Sequence, residues 1–371
     1  MTAARRATSA IFLVCGTATS CWAPMVPFAK TRLAIDEGTL GLILLALGGG
    51  SVVAMPIAGI AIHRWGSRPV ITLASVIACA VLPLLAAPAS PLLLAASLFV
   101  FGAGLGTMDV AMNAQAIAVQ HAIGRPIMSG FHALFSIGGL VGAIVLTLLL
   151  RAGLSLGASA LLMAGLLLIV ALVQIPGLLK DRGAASDTTF TIVPSSRVLL
   201  LGGLCFISFL AEGAVLDWSA VFLRERQGVD ISIAGIGYAT FSIAMVAGRL
   251  TGDDLAYRFG ALRMLVAGGA LAAAGFLAVA VSPNTATALA GFIVIGLGAA
   301  NIVPLLFSAS GHVPNVPPSL ALATVTTIAY AGLLLGPALI GFVADLTSLP
   351  LALAVVAGML ALIPLTARRV A

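Results

Sequence analysis

Two stretches decide how this chain is built: "AGIAIHRWG" (58–66) and "GDDLAYRFG" (252–260). Laid over one another, they put Arg64 on Arg258 and Gly66 on Gly260, a step of 194 residues. The same step carries Gly102 and Gly104 of "GAGLGT" onto Gly296 and Gly298 of "GLGAAN". It recurs once more, placing Gly138 on Gly332 and Gly142 on Gly336. Single glycine matches say little in a chain with 41 glycines. One register kept at three separated places marks an internal duplication.

What is duplicated follows from composition. The chain has 371 residues, 61% of them hydrophobic and only 8% charged. Soluble domains carry about a quarter charged residues, so the solvent for most of this chain is lipid. A membrane helix needs about 20 mainly apolar residues. Charge, Pro and Gly punctuation leaves twelve such runs. Six fall at roughly 9–29, 39–62, 69–87, 91–117, 127–150 and 154–178; six more at roughly 198–223, 232–256, 262–281, 286–310, 319–344 and 350–367. Between the sets lies "KDRGAASDTTFTIVPSSR" (180–197), the longest polar stretch. The expected organisation is an N-terminal six-helix bundle (1–179), a cytoplasmic linker (180–197) and a C-terminal six-helix bundle (198–371).

The net charge of +6 does not indicate nucleic acid, because the basic residues stand singly or in pairs between apolar runs. Cys15, Cys21, Cys79 and Cys205 sit inside apolar runs without CxxC or Cys/His spacing, which reads as buried thiols and no metal. The basic start and apolar run of the N-terminus resemble a signal peptide, but no small-x-small site precedes a polar chain. It reads as a first membrane helix that is kept. With the N-terminus inside, one side collects Arg5, Arg6, Arg64, Arg68, Arg125, Lys180, Arg182, Arg197, Arg258, Arg263, Arg368 and Arg369. The other holds Lys30, Arg32, Arg151, Arg224 and Arg226. The positive-inside rule therefore expects both termini in the cytoplasm.

Six plus six spans, a central linker and "GIAIHRWGSRP" between spans two and three resemble the Major Facilitator Superfamily. Its loop there reads broadly G-x-x-x-D-[RK]-x-G-[RK]-[RK]. Gly59, Arg64, Gly66 and Arg68 fit, whereas His63 stands where the family usually has Asp. The second half offers a fuller charge cluster in Arg249, Asp253, Asp254, Arg258 and Gly260. The resemblance implies an all-α membrane fold of two pseudo-symmetric six-helix bundles that works by alternating access. It also implies gating contacts at Arg64, Arg68, Arg249, Asp253 and Arg258. Parallel repeats of this kind place substrate near the bilayer midplane.

Ionisable groups at membrane depth are costly and mark function. Asp109 and Asn113 are four apart in span four and share a face, which Gly102 and Gly106 extend as a small, polar stripe suited to a cavity wall. Glu212 lies about fourteen residues into span seven, close to mid-bilayer at 1.5 Å per residue. Glu212 is the first candidate for proton coupling and Asp109 the second. Asp217 lies nearer the outer mouth and reads as interfacial. His132 shares a face with Ser129, Ser136 and Gly139; relay and structural roles are both open to it. Arg249 and Asp253, at i,i+4, favour a local pair. Asn301 stands midway along span ten, before Pro304, which frees a backbone carbonyl at depth. Asn113, Asn301, Trp22, His132, Tyr238 and Tyr330 are the candidate substrate contacts.

Gly104, Gly106, Asp109 and Asn113 are further similar to the fucose/glucose proton-symporter branch of that superfamily. "DVAMNAQAIAV" with "GRPIMSGFHALFSIGGLVGA" is similar to its bacterial branch that includes MosC. These likenesses imply proton-coupled uptake of a sugar- or polyol-like solute across the bacterial inner membrane. The alternative is a proton-driven exporter of drugs or metabolites, suggested by Gly332, Gly336, Pro337 and Gly341. No HExxH, GxSxG or Walker loop is present, so no enzyme, cofactor or ATP drive is expected. The expected partners are a small solute, protons and lipid; a single chain suffices for such a fold, so a monomer is expected.

Overall fold

A computed structural model describes residues 2–180, 195–230, 233 and 235–370. Every regular element among them is helical. Eleven helices among them are long and apolar enough to cross a membrane. They are α1 (Thr2–Leu33), α2 (Thr39–Trp65), α3 (Ser67–Ala86), α4 (Pro91–Ile123), α5 (Met128–Arg151), α6 (Leu156–Gly177), α7 (Ser196–Gln227), α9 (Ala261–Ala280), α10 (Thr285–Ser310), α11 (Pro318–Leu346) and α12 (Leu349–Arg369). The twelfth expected span is α8 (Ile236–Phe259), set apart by Arg249, Asp253, Asp254 and Arg258. It ends at Gly260 rather than near 256, because glycine supplies the stop. Of the expected linker, residues 181–194 lie outside the described residues.

Helix starts follow local capping chemistry. Ser90, Ser155, Ser195, Asn284 and Ser348 each accept a hydrogen bond from the backbone N–H three residues on. Such a cap satisfies one of the donors a helix leaves open at its first turn. Pro91 follows Ser90 at the first helical position, where a missing N–H costs nothing. α4 then runs 33 residues, about 50 Å at 1.5 Å per residue, and so outreaches a hydrocarbon core about 30 Å thick.

Contacts divide the chain into two compact units. The first comprises residues 1–125, 131–193 and 315–327; the second comprises 126–130, 194–314 and 328–371. Buried aromatics fill each: Phe12, Phe101 and Phe131 in the first, Phe222, Phe276, Phe292 and Phe307 in the second.

The 194-residue step is visible in the packing inside each unit. Gly66 ends α2 at φ 85°, and Gly260 ends α8 at φ 82°. Each starts the next helix at the following residue, a junction that residues with a Cβ rarely adopt. A Cβ on Gly102 would strike the Leu47 carbonyl; one on Gly296 would strike that of Phe241, 194 residues after Leu47. Gly104 abuts Ala78 and Gly298 abuts Ala272, again 194 apart. Gly138 meets the Leu13 carbonyl and Gly332 that of Phe206, where the partner slips by one residue. These close approaches let helices associate by backbone packing. They also correct the reading of α4: Gly102 and Gly106 lie against Leu47 and Ser51 of α2, so this part of the stripe is a helix contact and not a cavity wall. Ser51 Oγ donates to the Gly102 carbonyl at 2.8 Å, sealing the crossing.

Candidate functional site

In the second unit, Glu212 of α7 faces Arg249 of α8. The guanidinium Nη2 lies 3.7 Å from Glu212 Oε1, and both side chains are largely buried. That carboxylate oxygen makes no hydrogen bond. Arg249 Nε donates to the Ala300 carbonyl at 3.3 Å. In an unbroken helix this carbonyl would accept from residue 304, but Pro304 has no N–H to give. α10 accordingly breaks at Ala300–Asn301, between Thr285–Ala299 and Ile302–Ser310. Asn301 Nδ2 donates to the Gly248 carbonyl at 3.0 Å, while its Oδ1 is buried without a hydrogen-bond partner. Gly248 and Gly252 make room for this break: a Cβ on the first would press on Ala300, and on the second would strike Asn301.

The i,i+4 spacing of Arg249 and Asp253 predicts a local pair. Arg249 reaches Glu212 and the Ala300 carbonyl, and both Asp253 oxygens reach the start of α5. They accept from the backbone N–H groups of Ser129 and Gly130, each at 2.8 Å. A carboxylate across a helix N-terminus answers the open donors and the positive end of the dipole together.

In the first unit, Asn113 joins α4 to α5. Its Nδ2 donates to the Asp109 carbonyl at 2.9 Å and to Asp109 Oδ1 at 3.2 Å. Its Oδ1 lies 3.1 Å from His132 Nε2. An amide oxygen only accepts, so that ring nitrogen carries the proton. His132 also packs edge-on against Phe12 at 5.4 Å. Asp109, Asn113 and His132 are buried and form one polar chain. Asn113 is thereby engaged with its neighbours.

The remaining candidates are dispersed. Trp22 is buried, with its indole N–H lacking a partner. Tyr330 packs on Phe209 at 5.4 Å, and Tyr238, 39% exposed, leans on Phe241 at 6.0 Å. Tyr238 is also an electrostatic neighbour of Arg249. Arg64 and Arg258 are exposed and Arg68 half-buried; Arg64 lies over the Trp65 ring at 5.9 Å. Periodicity along α4 gives Gln115 no place on the Asp109 face, yet it is fully buried and accepts from Ser67 at the α3–α4 contact. The sequence pattern also missed that Arg249 takes the carbonyl freed by Pro304. The signal was there, in a proline on one span and an arginine on its neighbour.

The internal repeat serves as a control on these clusters. The positions 194 residues before Glu212, Arg249 and Pro304 are Ala18, Met55 and Val110, all buried and apolar. Those 194 residues after Asp109 and Asn113 are Val303 and Phe307, again buried and apolar. The scaffold is repeated, whereas Glu212, Arg249, Pro304, Asp109 and Asn113 are not; His132 and Asn301 are matched by the polar Thr326 and Thr107. The repeated scaffold itself therefore does not demand the charged groups.

The Major Facilitator Superfamily model matches residues 8–318. The chain belongs to the Major Facilitator Superfamily. This superfamily member is 44% identical over 359 residues to an uncharacterised MFS-type transporter of Yersinia pestis, covering 97% of this chain and 94% of that one. It is 32% identical over 343 residues to the membrane protein MosC of Rhizobium meliloti, covering 92% and 84%. Its fold matches that of the E. coli fucose:proton symporter FucP with a TM-score of 0.80 at 18% identity, over 99% and 98% of the chains. The protein is a multi-pass membrane transporter of this superfamily.

Proposed function

We propose that this transporter couples the uptake of a sugar- or polyol-like solute to protons by alternating access. The observation that carries the reading is Glu212 in α7, largely buried in a membrane-spanning segment beside Arg249 and hydrogen-bonded to nothing at Oε1. A carboxylate so placed is costly unless it works, and exchanging a proton is work it can do. Asp109, tied through Asn113 to His132, is the second candidate proton carrier. The likeness in fold to FucP, a fucose:proton symporter, supports the same class of cargo and coupling.

In this reading the bundles are 1–179 and 198–371, joined by a cytoplasmic linker at 180–197. Both termini are cytoplasmic, and the chain works as a monomer in the bacterial inner membrane. Asp253, held on the N-terminus of α5, is a gate contact that breaks when the inward face opens; Arg64, Arg68 and Arg258 assist as loop charges. Trp22, Tyr330, Tyr238 and Asn301 are offered to the solute.

Purified protein in proteoliposomes tests the proposal, using sugars and polyols first selected by thermal shift. An outside-acid gradient is expected to drive uptake that a proton ionophore abolishes. Flux of the opposite sign would support proton-driven export of drugs or metabolites. Flux indifferent to the gradient would end the proton-coupled reading.

A further inference from the structure

Three helices meet at Gly252 of α8. A Cβ there would strike Asn301 Oδ1 at the break in α10 and would press on Ser129 Cβ, at the start of α5, at 2.9 Å. Gly252 puts no side chain into this space, so the group that covers the Asn301 oxygen there is Ser129. One turn earlier on α8, the Gly248 carbonyl accepts from Asn301 Nδ2 at 3.0 Å, which fixes the amide with its oxygen towards Gly252. A flipped amide would set oxygen against the Gly248 oxygen, where neither can donate. As it stands, Asn301 Oδ1 is buried and accepts no hydrogen bond. The Cα–H of Gly252 is only a weak donor to it.

The residue after Gly252 is the latch. Asp253 accepts from the N–H groups of Ser129 and Gly130, each at 2.8 Å. The turn of α5 that Asp253 holds is therefore the turn that shuts in the Asn301 oxygen. The two contacts have opposite signs. Asp253 gains two charge-assisted bonds while α5 is seated on α8. Asn301 leaves an acceptor unpaired in the same arrangement, at the desolvation cost of that group. When the start of α5 withdraws, Asp253 loses its bonds and the Asn301 oxygen opens to water or to a solute hydroxyl. The repeat holds no second copy of this arrangement: the counterparts of Gly248, Gly252 and Asn301 are Ala54, Ala58 and Thr107.

We propose that Asn301 is the counterweight to Asp253: its unpaired oxygen favours the state in which the start of α5 has left α8. This inference rests on the reading of Asp253 as a gate contact. Alternating access needs both states populated, and a ligand shifts their balance only by its differential affinity. A latch of two charge-assisted bonds with nothing against it would demand that whole difference from the proton and the solute. Asn301 lowers the demand.

Asn301→Ala removes the unpaired oxygen. Asn301→Thr installs the side chain that the repeat carries, whose hydroxyl can donate to the carbonyl four residues back, as Thr326 does. Both leave the Gly248 carbonyl to the N–H of Gly252 within α8. The lost bond from Nδ2 joins α8 to α10 whether or not α5 is seated, so it cancels between the two states. Single cysteines at the inner mouth, in a background lacking the four native ones, report gate opening as a labelling rate in purified protein without solute. Both Asn301 variants are expected to slow that labelling by about tenfold, and Asp253→Asn to speed it. Asn301→Ala in the Asp253→Asn background is expected to bring the rate back towards that of the unaltered chain. Unchanged or faster labelling in both Asn301 variants, with Asp253→Asn still fast, would overturn the proposal. Failure of both to give monodisperse, helical protein would overturn it too, by making the amide a requirement of the fold. Should Asp253→Asn leave labelling unchanged, the gate reading itself fails and the counterweight falls with it.

Discussion

Arg249→Met is the perturbation that weighs the second unit's cluster. At 3.7 Å, two unit charges at an effective dielectric of about 20 attract by about 4.5 kcal/mol. Taking charges out of water opposes this, so the pair adds little net stability against an apolar replacement. Removing one partner is different, because the other charge is then buried alone, at a cost of about 3–5 kcal/mol. Arg249→Met also loses the bond to the Ala300 carbonyl. A double-mutant cycle with Glu212→Gln removes that second loss, since it occurs in both backgrounds. The assay is reversible denaturation in detergent, followed by helical content. Arg249→Met is expected to cost about 2–4 kcal/mol more with Glu212 present than in the Glu212→Gln background. A coupling below about 0.5 kcal/mol would refute the reasoning, because the two groups would then be neighbours without being partners.

Asp253→Asn weakens two charge-assisted bonds to Ser129 and Gly130 and is expected to cost about 1–3 kcal/mol of the state seen here. Cysteines engineered at both mouths, in a background lacking the four native ones, should report a shift in accessibility of about tenfold or more; equal labelling would exclude the gate. Asn113→Leu leaves Asp109 Oδ1 and His132 Nε2 facing an apolar group, with an expected loss of about 1–3 kcal/mol by thermal denaturation. An unchanged stability would show that the chain from Asp109 to His132 is not continuous. Gly102→Ala and Gly296→Ala should both reduce the yield of monodisperse protein, because each new methyl meets a backbone carbonyl. Gly139→Ala, with nothing within 4 Å, should not.

The scaffold was legible because its signals are local or periodic. Apolar runs of sufficient length gave the spans, and Gly66 and Gly260, matched by one step, turn out to share a positive φ that few other residues adopt. Asp109 and Asn113 were joined correctly, since i,i+4 is fixed by helix geometry. What was illegible depends on how each helix is rotated and what stands beside it. Gly102 and Gly106 read as a cavity wall when only α4 is considered, and Leu47 and Ser51 of α2 decide otherwise. Arg249 illustrates the limit best. Spacing along α8 offers Asp253 but says nothing of the contacts on other helices, Glu212 of α7 and the Ala300 carbonyl at the break in α10. The length and flexibility of an arginine let it choose among helices, and periodicity along one helix does not rank them.

The central claim is that Glu212 carries the proton that drives the solute, and proteoliposomes with and without Glu212→Gln test it most directly. With a sugar or polyol that stabilises the purified protein, an outside-acid gradient should concentrate solute in vesicles bearing the unaltered chain. Glu212→Gln should abolish that concentration while preserving exchange of labelled for unlabelled solute. Full concentrative uptake by Glu212→Gln, at the rate of the unaltered chain, would contradict the account.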